Sequence, residues 1–378
     1  MSGRIIQFGT SRFLQAHAAF FVHEAAEAGQ TVGPITVVQT SGDSSRSGRV
    51  AAFGRPEGYP VVIRGMSDGI TIDRTVHVKS IDRGLSAASD WAEILRLFTH
   101  EAEFVVSNTG DTGYRTVPAE DRFSSTGDAP KSFPAKLAFL LFRRWQATAR
   151  PLVILPCELV TGNGRLLKTA VIESARLNDV PAEFFEWLDR EVTFADTLVD
   201  RIVSEPIEPV GAVAEPYALW AIRQAPGVRL PCAHEQIVLT PELESYERLK
   251  LHILNLGHTY LAEIWQTEGH ASDQTVRGML ADPAIRRRLE ALYDTEVVPG
   301  FASKGMGDEA RSYVATTLDR FSNPFLNHRM ADIAQHHAQK VERRITAFLD
   351  WVEKTPMDYE TPILRAIASR YPAPGEAV

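Results

Sequence analysis

Three side chains lying close together in the sequence could carry out proton transfer: Lys250, Asn255 and His258. An amine can take up or release a proton, an amide can donate a hydrogen bond to an oxygen that gains charge, and an imidazole can hold a neighbouring hydroxyl. At about 100° per residue, an α-helix places the three within an arc of about 140° on one face. A solvated helix surface has the same pattern, so the spacing alone leaves both interpretations open.

The same segment carries an apolar stripe that would bury another face of this helix. The stripe consists of Leu249, Ile253, Leu256, Tyr260 and Ile264. Its centre lies roughly 150° from the polar face, so one face can pack while the other presents its polar groups. From about Pro241 onward the whole pattern is mainly helical.

The first half of the chain alternates short β-branched runs with helical patterns, which predicts a parallel sheet. A strand is predicted at Ile5–Gly9, a helix from about Phe13 to Ala28 and a second strand at Ile35–Gln39. The predicted fold class is α/β, with a Rossmann-like doubly wound sheet over residues 1–205. A mostly α-helical domain for substrate and catalysis is predicted over residues 206–378, and the cleft between two such domains is the expected ligand site.

The turn after the first strand has the geometry that places a pyrophosphate at a helix amino terminus. Its glycine pattern is weak, because only Gly9 fits G-x-G-x-x-G. Gln39 could hydrogen-bond a ribose hydroxyl and Arg46 could accept a 2′-phosphate. These residues leave NAD, NADP and a purely structural turn open.

Composition argues against several other classes of protein. The chain has 40 Lys and Arg against 48 Asp and Glu, a formal net charge of -8, which argues against a nucleic-acid-binding surface. Its two cysteines can form neither a disulfide framework nor a cysteine-rich zinc site. With no apolar run of about 18 residues and no signal peptide, we expect no membrane association, a cytoplasmic location, and a monomer or small homo-oligomer.

A histidine cluster near the end of the chain does not predict a metal site. The cluster consists of His328, His336 and His337. Adjacent positions on a helix point to different sides, so His336 and His337 cannot readily share one ion. No metal is expected.

The pattern Lys-x4-Asn-x2-His at Lys250–His258 resembles the signature of the polyol-specific long-chain dehydrogenases, the mannitol dehydrogenase family. Further segments resemble the same family in the same order along nearly the whole chain. They are Phe8–His17, Val106–Thr109, Ser132–Leu137, Cys157–Leu159, Asn163–Gly164, Val199–Ile202 and Arg320–His328, with Lys340 beyond them. The pattern is most similar to the tagaturonate reductase branch.

The resemblance implies a metal-independent NAD(P)-dependent oxidoreductase that interconverts a secondary alcohol and a ketone. Lys250 would be the general acid or base, Asn255 the donor to the reacting oxygen, and His258 the partner of a neighbouring hydroxyl. The implied cofactor is NAD, with NADP open, and its binding residues would be Phe8, Gly9, Thr10, Ser11, Arg12, Phe13, Gln39, Ser107, Asn108 and Thr109. The implied substrate-binding residues are Asp200, Arg201, Arg320 and Lys340. An amine that accepts a proton near neutrality must be desolvated or crowded by positive charge.

The chain departs from the mannitol-type pattern at two positions. Leu159 follows Glu158 where those enzymes have an Asn that is a second oxyanion donor, and Asp332 stands where they have an Arg. A linear hexitol such as altritol or mannitol is the expected substrate, and a hexuronate such as tagaturonate or fructuronate is the alternative. A nucleotide-binding regulator without catalysis and a non-redox epimerase that uses Lys250 as base are the rival functions.

Overall fold

A computed structural model describes residues 3–43, 45, 47–110, 113–124, 127–353 and 359–372. Contacts within the chain divide it into two compact units. Unit 1 comprises Met1–Ile63 and Arg74–Leu243, and unit 2 comprises Arg64–Asp73 and Glu244–Val378. The sequence prediction places the domain boundary at 205/206, within the strand β10 defined below, and the strands β11 to β13 lie between that boundary and Leu243.

Unit 1 is built on a six-stranded sheet with all neighbouring strands parallel. Its strands are β1 (Arg4–Phe8), β2 (Ile35–Gln39), β5 (Ile81–Ser86), β6 (Ala102–Ser107), β7 (Leu152–Pro156) and β8 (Val192–Phe194). Their order in the sheet is β5-β2-β1-β6-β7-β8, with the chain winding outward in both directions from β1. The predicted Rossmann-like α/β fold is confirmed.

Helices connect these strands and bury their apolar faces on the sheet. They are α1 (Arg12–Gln15), α2 (Ala18–Glu27), α3 (Ser47–Ala52), α4 (Trp91–His100), α5 (Phe133–Ala147), α6 (Asn163–Arg176) and α7 (Ala182–Glu191). The central strands β1, β2 and β7 are almost entirely buried, as expected for parallel strands with apolar residues on both faces. Ser132 caps α5 by accepting a hydrogen bond from the Ala135 N–H at 3.3 Å.

Seven further strands form two smaller sheets. They are β3 (Tyr59–Ser67), β4 (Ile70–Val78), β9 (Thr197–Asp200), β10 (Val203–Pro206), β11 (Ala212–Ala214), β12 (Leu219–Arg223) and β13 (Ile237–Thr240). One sheet has the order β10-β11-β3-β4 and the other β13-β12-β9. The tip of β3 and β4, Arg64–Asp73, belongs to unit 2.

The helix predicted from about Phe13 to Ala28 is interrupted, so that prediction was wrong about its continuity. The carbonyl of Gln15 accepts the Tyr59 hydroxyl at 2.9 Å, and the carbonyl of Ala16 accepts Arg201 Nη1 at 2.6 Å. These two side chains take acceptors that a continuing helix would use, and the chain therefore breaks between α1 and α2. Such long-range hydrogen bonds have no signature in the local sequence.

Unit 2 is helical outside the Arg64–Asp73 tip, which confirms the predicted second domain type. Its α-helices are α8 (Glu244–Leu249), α9 (Leu256–Thr267), α10 (Val276–Leu280), α11 (Pro283–Leu292), α12 (Val298–Ala302), α13 (Gly307–Phe321), α14 (Met330–Ile333), α15 (His337–Val341), α16 (Ala347–Glu353) and α17 (Pro362–Ala368). Fully buried residues from many of these helices form one apolar core. None of the helices in the described part of the chain has the length and apolar character of a membrane span.

Within the described residues of unit 2, three segments are π-helical. They are π1 (Lys250–Asn255), π2 (Tyr293–Val297) and π3 (Glu342–Thr346). The segment from Lys250 to His258 is therefore not the regular α-helix that the sequence predicts. A π turn closes i→i+5 hydrogen bonds, so residues five apart lie nearly one above the other.

His17, at the break between α1 and α2, should stay neutral in moderately acidic solution. Burial lowers the pKa of His17 to about 3, and its Nε2 lies 3.0 Å from the Leu219 carbonyl, which can only accept. The unfolded chain therefore binds a proton below about pH 6.5 that the folded chain does not, and the free energy of unfolding falls by about 2 kcal/mol from pH 7 to pH 5. NMR titration of the ring should show no protonation down to pH 5. A midpoint near 6.5 would contradict this, and His17→Asn should remove this part of the pH dependence of urea unfolding.

Candidate active site

Phe8 and Gly9 lie where β1 ends at the carboxyl edge of the parallel sheet. The Phe8 ring is buried against Phe98 and Phe133, so this side chain belongs to the core and only its main chain can reach a ligand. Gly9 has a φ of 108°, and a Cβ there would overlap the main-chain carbonyl oxygen of Asn108. Glycine is needed at this position because the ends of β1 and β6 approach so closely.

Thr10, Ser11 and Phe13 continue the turn after β1. Ser11 caps the short helix α1 by accepting the Leu14 N–H at 3.2 Å. Among the described residues, the N–H groups of Thr10 and Ser11 have no main-chain acceptor. Phe13 stacks on His17 at 4.6 Å between ring centroids. The turn thus has main-chain donors of the kind that phosphate groups bind.

Arg12, a predicted cofactor-binding residue, directs its guanidinium to other parts of unit 1. Its Nη1 donates to the carbonyls of Ile207 and Gly211 at 2.9 and 3.1 Å, and its Nη2 to the Glu208 carboxylate at 2.5 Å. These bonds fasten the turn between β10 and β11. Cofactor contact by Arg12 stays a prediction.

Gln39 ends β2 and is buried. Its Nε2 donates to the carbonyls of Ser41 and Asp43 at 2.9 and 2.8 Å, which shapes the loop that follows. Its Oε1 is an acceptor of the kind that a ribose hydroxyl would require. Arg46 lies outside the described residues.

Ser107, Asn108 and Thr109 converge on the loop after β7. The buried carboxylate of Glu158 accepts hydrogen bonds from Ser107 Oγ, Thr109 N and Thr109 Oγ1, each at 3.0 Å. Asn108 Nδ2 donates to the Cys157 carbonyl at 2.8 Å. The segment predicted to lie beside the cofactor is thus held by one carboxylate at the sheet's carboxyl edge.

Tyr114 supplies a further donor to Glu158, at 2.9 Å. Burial, and then the negative Glu158, raise the pKa of Tyr114, so it is a neutral donor. Both residues line a cavity of about 520 Å³ that Leu159, Val160 and side chains of α6 complete. Leu159 is 76% exposed there, and its apolar side chain cannot replace the amide donor of the mannitol-type pattern.

Asp200 and Arg201 are both buried in unit 1. Arg201 Nε donates to the Glu215 carbonyl at 3.0 Å, and its guanidinium lies 5.0 Å from the centre of the Phe20 ring. Burial lowers the pKa of Arg201 to about 10, which still leaves it charged at neutral pH. Its contacts describe a structural residue, and substrate binding by Asp200 and Arg201 stays a prediction.

Lys250 and Asn255 are the first and last residues of π1 in unit 2. Both are half-buried. The π turn brings them closer around the helix axis than the arc of about 140° that a regular α-helix gives. The main-chain carbonyl of Asn255 accepts hydrogen bonds from Thr259 Oγ1 at 3.0 Å and from Arg344 Nη1 at 3.2 Å.

His258 is buried on α9, with its ring centroid 4.3 Å from that of Phe321 and 4.8 Å from that of His328. Burial lowers its pKa well below the ordinary value, and His328, Arg344, Arg320 and Lys340 lower it further. The imidazole is neutral at physiological pH. It can therefore exchange hydrogen bonds with a hydroxyl but carries no charge.

Arg320 and Lys340, the predicted substrate residues of unit 2, both act on His258 through their charge. Arg320 is buried at the end of α13, with Nη1 3.4 Å from the Tyr313 hydroxyl. Lys340 Nζ donates to the Ile333 carbonyl at 2.6 Å, and burial and Arg344 lower the pKa of this amine. The structure thus brings Arg320 and Lys340 into one charged neighbourhood with His258.

The histidines His328, His336 and His337 have different partners and different exposure to solvent. His337 Nε2 binds the buried Glu263 carboxylate at 2.8 Å, His328 packs on His258, and His336 is exposed. No group of three or more His, Cys, Asp or Glu side chains in the described residues could hold a metal ion.

Glu158 and Arg344 contact candidate site residues, and Tyr293 contacts Ile253 between Lys250 and Asn255. None of the three was among the predicted site residues. Glu158 could have been found from topology, because it follows β7 and the carboxyl ends of adjacent parallel strands meet. Arg344 and Tyr293 reach Asn255 and Ile253 from distant parts of unit 2. No local sequence signal indicates these two contacts.

Glu158→Gln should loosen the segment Ser107–Thr109. The substitution replaces one acceptor oxygen of Glu158 by an amide NH₂ group, which donates and would face the donors of Ser107, Thr109 or Tyr114. We therefore expect a loss of about 1 to 3 kcal/mol of stability and weaker cofactor binding. Thermal unfolding and cofactor titration measure both effects. Glu173→Gln, at an exposed position of α6 beside the same cavity, is the matched control and should behave as wild type. Equal behaviour of the two variants would contradict this role of Glu158.

Comparison with known protein families gives two matches that together span most of the chain. The profile described as the mannitol dehydrogenase Rossmann domain matches residues 3–230. The profile described as the mannitol dehydrogenase C-terminal domain matches residues 242–373.

Curated relatives include proteins named altronate oxidoreductase. The protein from Halalkalibacterium halodurans is 32% identical over 377 residues, covering 93% of this chain and 71% of its own. Those from Bacillus subtilis and Klebsiella pneumoniae are 30% and 32% identical, each covering 90% of this chain and 73% and 74% of their own. The chain is thus shorter than these relatives.

Solved structures share the fold at lower identity. A substrate-free D-sorbitol dehydrogenase superimposes with a TM-score of 0.76 at 19% identity, covering 92% of this chain and 76% of its own. The mannitol 2-dehydrogenase of Pseudomonas fluorescens, in a ternary complex with NAD and D-mannitol, gives 0.68 at 18% identity, covering 99% and 85%.

Proposed function

The chain belongs to the mannitol dehydrogenase family of oxidoreductases, and we propose that it oxidises a secondary alcohol of a linear hexitol to the ketose, with NAD as hydride acceptor. The same reaction run backwards reduces the ketose. Lys250 is the general acid or base, and Asn255 and His258 bind the reacting end of the substrate.

The observation that carries this proposal is the π turn of π1. The amine of Lys250 and the amide of Asn255 are five residues apart in this turn. Because a π turn forms i→i+5 hydrogen bonds, residues at this spacing lie on one side of the helix. One hydroxyl group could then meet both groups at once. A solvated helix surface needs no such turn, and π turns occur frequently at functional sites.

Lys250, Asn255 and His258 each have a separate role in the oxidation of the alcohol. In the oxidation the Lys250 amine would take the hydroxyl proton as the alcohol becomes a ketone, and in the reverse reaction it would return that proton. The Asn255 amide donates to the oxygen as its charge grows, a contact worth roughly 3 kcal/mol in comparable sites. His258, neutral because it is buried among cations, holds a neighbouring hydroxyl. Leu159 offers no second amide donor, so Asn255 supplies this stabilisation without it.

Residues of unit 1 fit a dinucleotide. The main-chain donors of Thr10 and Ser11 suit its phosphates, the Gln39 Oε1 suits a ribose hydroxyl, and Ser107–Thr109 form a segment fixed by Glu158. Gln39 suits the free ribose hydroxyl of NAD, and Arg46, which could accept a 2′-phosphate, keeps NADP as the alternative cofactor. When bound, NAD accepts the hydride.

The names of the relatives favour an altronate-like arrangement of hydroxyls, and Asp332 of unit 2 favours a neutral end group. Asp332 acts electrostatically on His328, which packs on His258, so a negative carboxylate stands where mannitol-type enzymes have an Arg. It would repel a substrate carboxylate and accept a hydrogen bond from a hydroxyl. Altritol, oxidised to tagatose, combines both features.

A sugar acid is the second candidate, with altronate oxidised to tagaturonate. Arg320, Lys340 and Arg344 all lower the pKa of His258, so this neighbourhood is positively charged. Such a field would attract a carboxylate. The altronate oxidoreductases that resemble the chain support the same substrate.

A substrate panel separates these candidates. We expect kcat/KM for altritol with NAD, followed at 340 nm, to exceed that for altronate by roughly tenfold or more, because Asp332 would repel the substrate carboxylate. Mannitol, arabinitol, tagaturonate and fructuronate complete the panel, with NADP as the alternative cofactor. Preference for altronate would establish the second candidate. Absence of turnover with every compound would refute the redox function and favour a nucleotide-binding regulator.

Lys250→Met should lose at least about 100-fold in kcat, since no other group is proposed to take the proton. Lys250→Arg is the matched control for charge, because a guanidinium keeps the cation but does not release a proton near neutrality, so it should be equally inactive. Both variants should bind NAD as wild type does in a fluorescence titration. Near-normal turnover by either one would show that Lys250 is not the base.

A further inference from the structure

The main chain of π1 receives hydrogen bonds from side chains of the two other π segments of unit 2. Tyr293, the first residue of π2, donates its hydroxyl to the Ile253 carbonyl at 3.0 Å. Arg344, in π3, donates Nη1 to the Asn255 carbonyl at 3.2 Å. The Ile253 carbonyl also accepts the Leu256 N–H, so Tyr293 adds a second donor there, and Arg344 adds a donor at the Asn255 carbonyl.

The contact of Tyr293 depends on a missing side chain at position 257. A Cβ on Gly257 would overlap the Tyr293 hydroxyl oxygen, so glycine makes room for this donor between π1 and α9. Tyr293 is fully buried, and burial raises the pKa of its hydroxyl. It therefore stays a neutral donor that the core holds in place.

Arg344 and His252 connect π1 and π3 in both directions. The Arg344 guanidinium donates to Asn255 and to Thr259 Oγ1, which lies 3.0 Å away and donates in turn to the Asn255 carbonyl. His252 Nδ1 lies 3.0 Å from the main-chain carbonyl of Arg344. A carbonyl only accepts, so Nδ1 carries the proton. Each segment thus donates a side-chain hydrogen bond to the main chain of the other.

We propose that Arg344 and Tyr293 are positioning residues that hold π1 in its π turn and so keep Lys250 and Asn255 on one side of the helix. The inference rests on the proposed function of those two residues. In a regular α-helix, residues five apart point about 140° from each other around the axis. Loss of the two donors favours that arrangement, which separates the proton acceptor from the oxyanion donor without removing either.

The experiment compares Arg344→Met and Arg344→Lys with Arg343→Met, the adjacent exposed position of π3. Arg344→Met should lower kcat roughly 10- to 100-fold with an unchanged KM for NAD, because small displacements at a reacting centre have effects of this size. Arg344→Lys keeps one donor and should recover part of the loss. Arg343→Met should retain wild-type kcat. If Arg344→Met keeps kcat within about twofold of wild type, or loses NAD binding in step with kcat, the proposal is overturned.

Two further measurements test the positioning role even if Arg344→Met fails to fold or the wild type proves inactive. Tyr293→Phe removes one hydroxyl and no ring, so it should fold and show a smaller loss of kcat at unchanged KM for NAD. Hydrogen exchange in the peptide 250–259 should rise in Arg344→Met and Tyr293→Phe but not in Arg343→Met. This exchange is measured without substrate, so an inactive wild type would refute the proposed function alone. Unchanged exchange in both variants would refute the positioning role.

Discussion

The arrangement proposed for catalysis depends on how the main chain of π1 satisfies its hydrogen bonds. An α-helix bonds its interior carbonyls to its own main chain, whereas two carbonyls of π1 also accept side-chain donors from other segments. Tyr293 and Arg344 supply them to Ile253 and Asn255 from inside the same unit. The spacing of Lys250 and Asn255 is therefore set by the packing of unit 2, and the helix alone does not determine it.

In unit 1, too, hydrogen bonds between distant segments hold the main chain, and there the acceptor is a side-chain carboxylate. Glu158 gathers donors from Ser107, Thr109 and Tyr114 and so fixes the chain where β6 and β7 end. Gly9 lets β1 approach that point without steric overlap. Buried polar groups are costly unless they are all satisfied, so such networks hold a loop in one conformation. Both units thus hold irregular backbone through hydrogen bonds from a few buried or half-buried side chains.

The electrostatics of unit 2 account for the neutral state of the buried His258. His258 lies among Arg320, Lys340 and Arg344, and burial already disfavours its charged form. A neutral imidazole can serve a hydroxyl as donor or acceptor, whereas an imidazolium can only donate. The same cations would also attract a sugar acid, while Asp332 near His328 opposes one. In the proposed function, the balance between these charges would decide between a polyol and an aldonate.

By itself, the sequence determined the parallel sheet, the helical second domain and the position of the signature residues, because alternating β-branched runs and helical periodicity are local properties. The family resemblance followed from short motifs in fixed order. Only the tertiary structure decided the break between α1 and α2 and the π turn at Lys250–Asn255. It also decided that Arg12 and Arg201 donate hydrogen bonds to main-chain carbonyls within unit 1. Each of these rests on hydrogen bonds between residues far apart in the chain, such as Arg201 to Ala16 and Arg344 to Asn255, and such bonds leave no periodicity or spacing in the sequence.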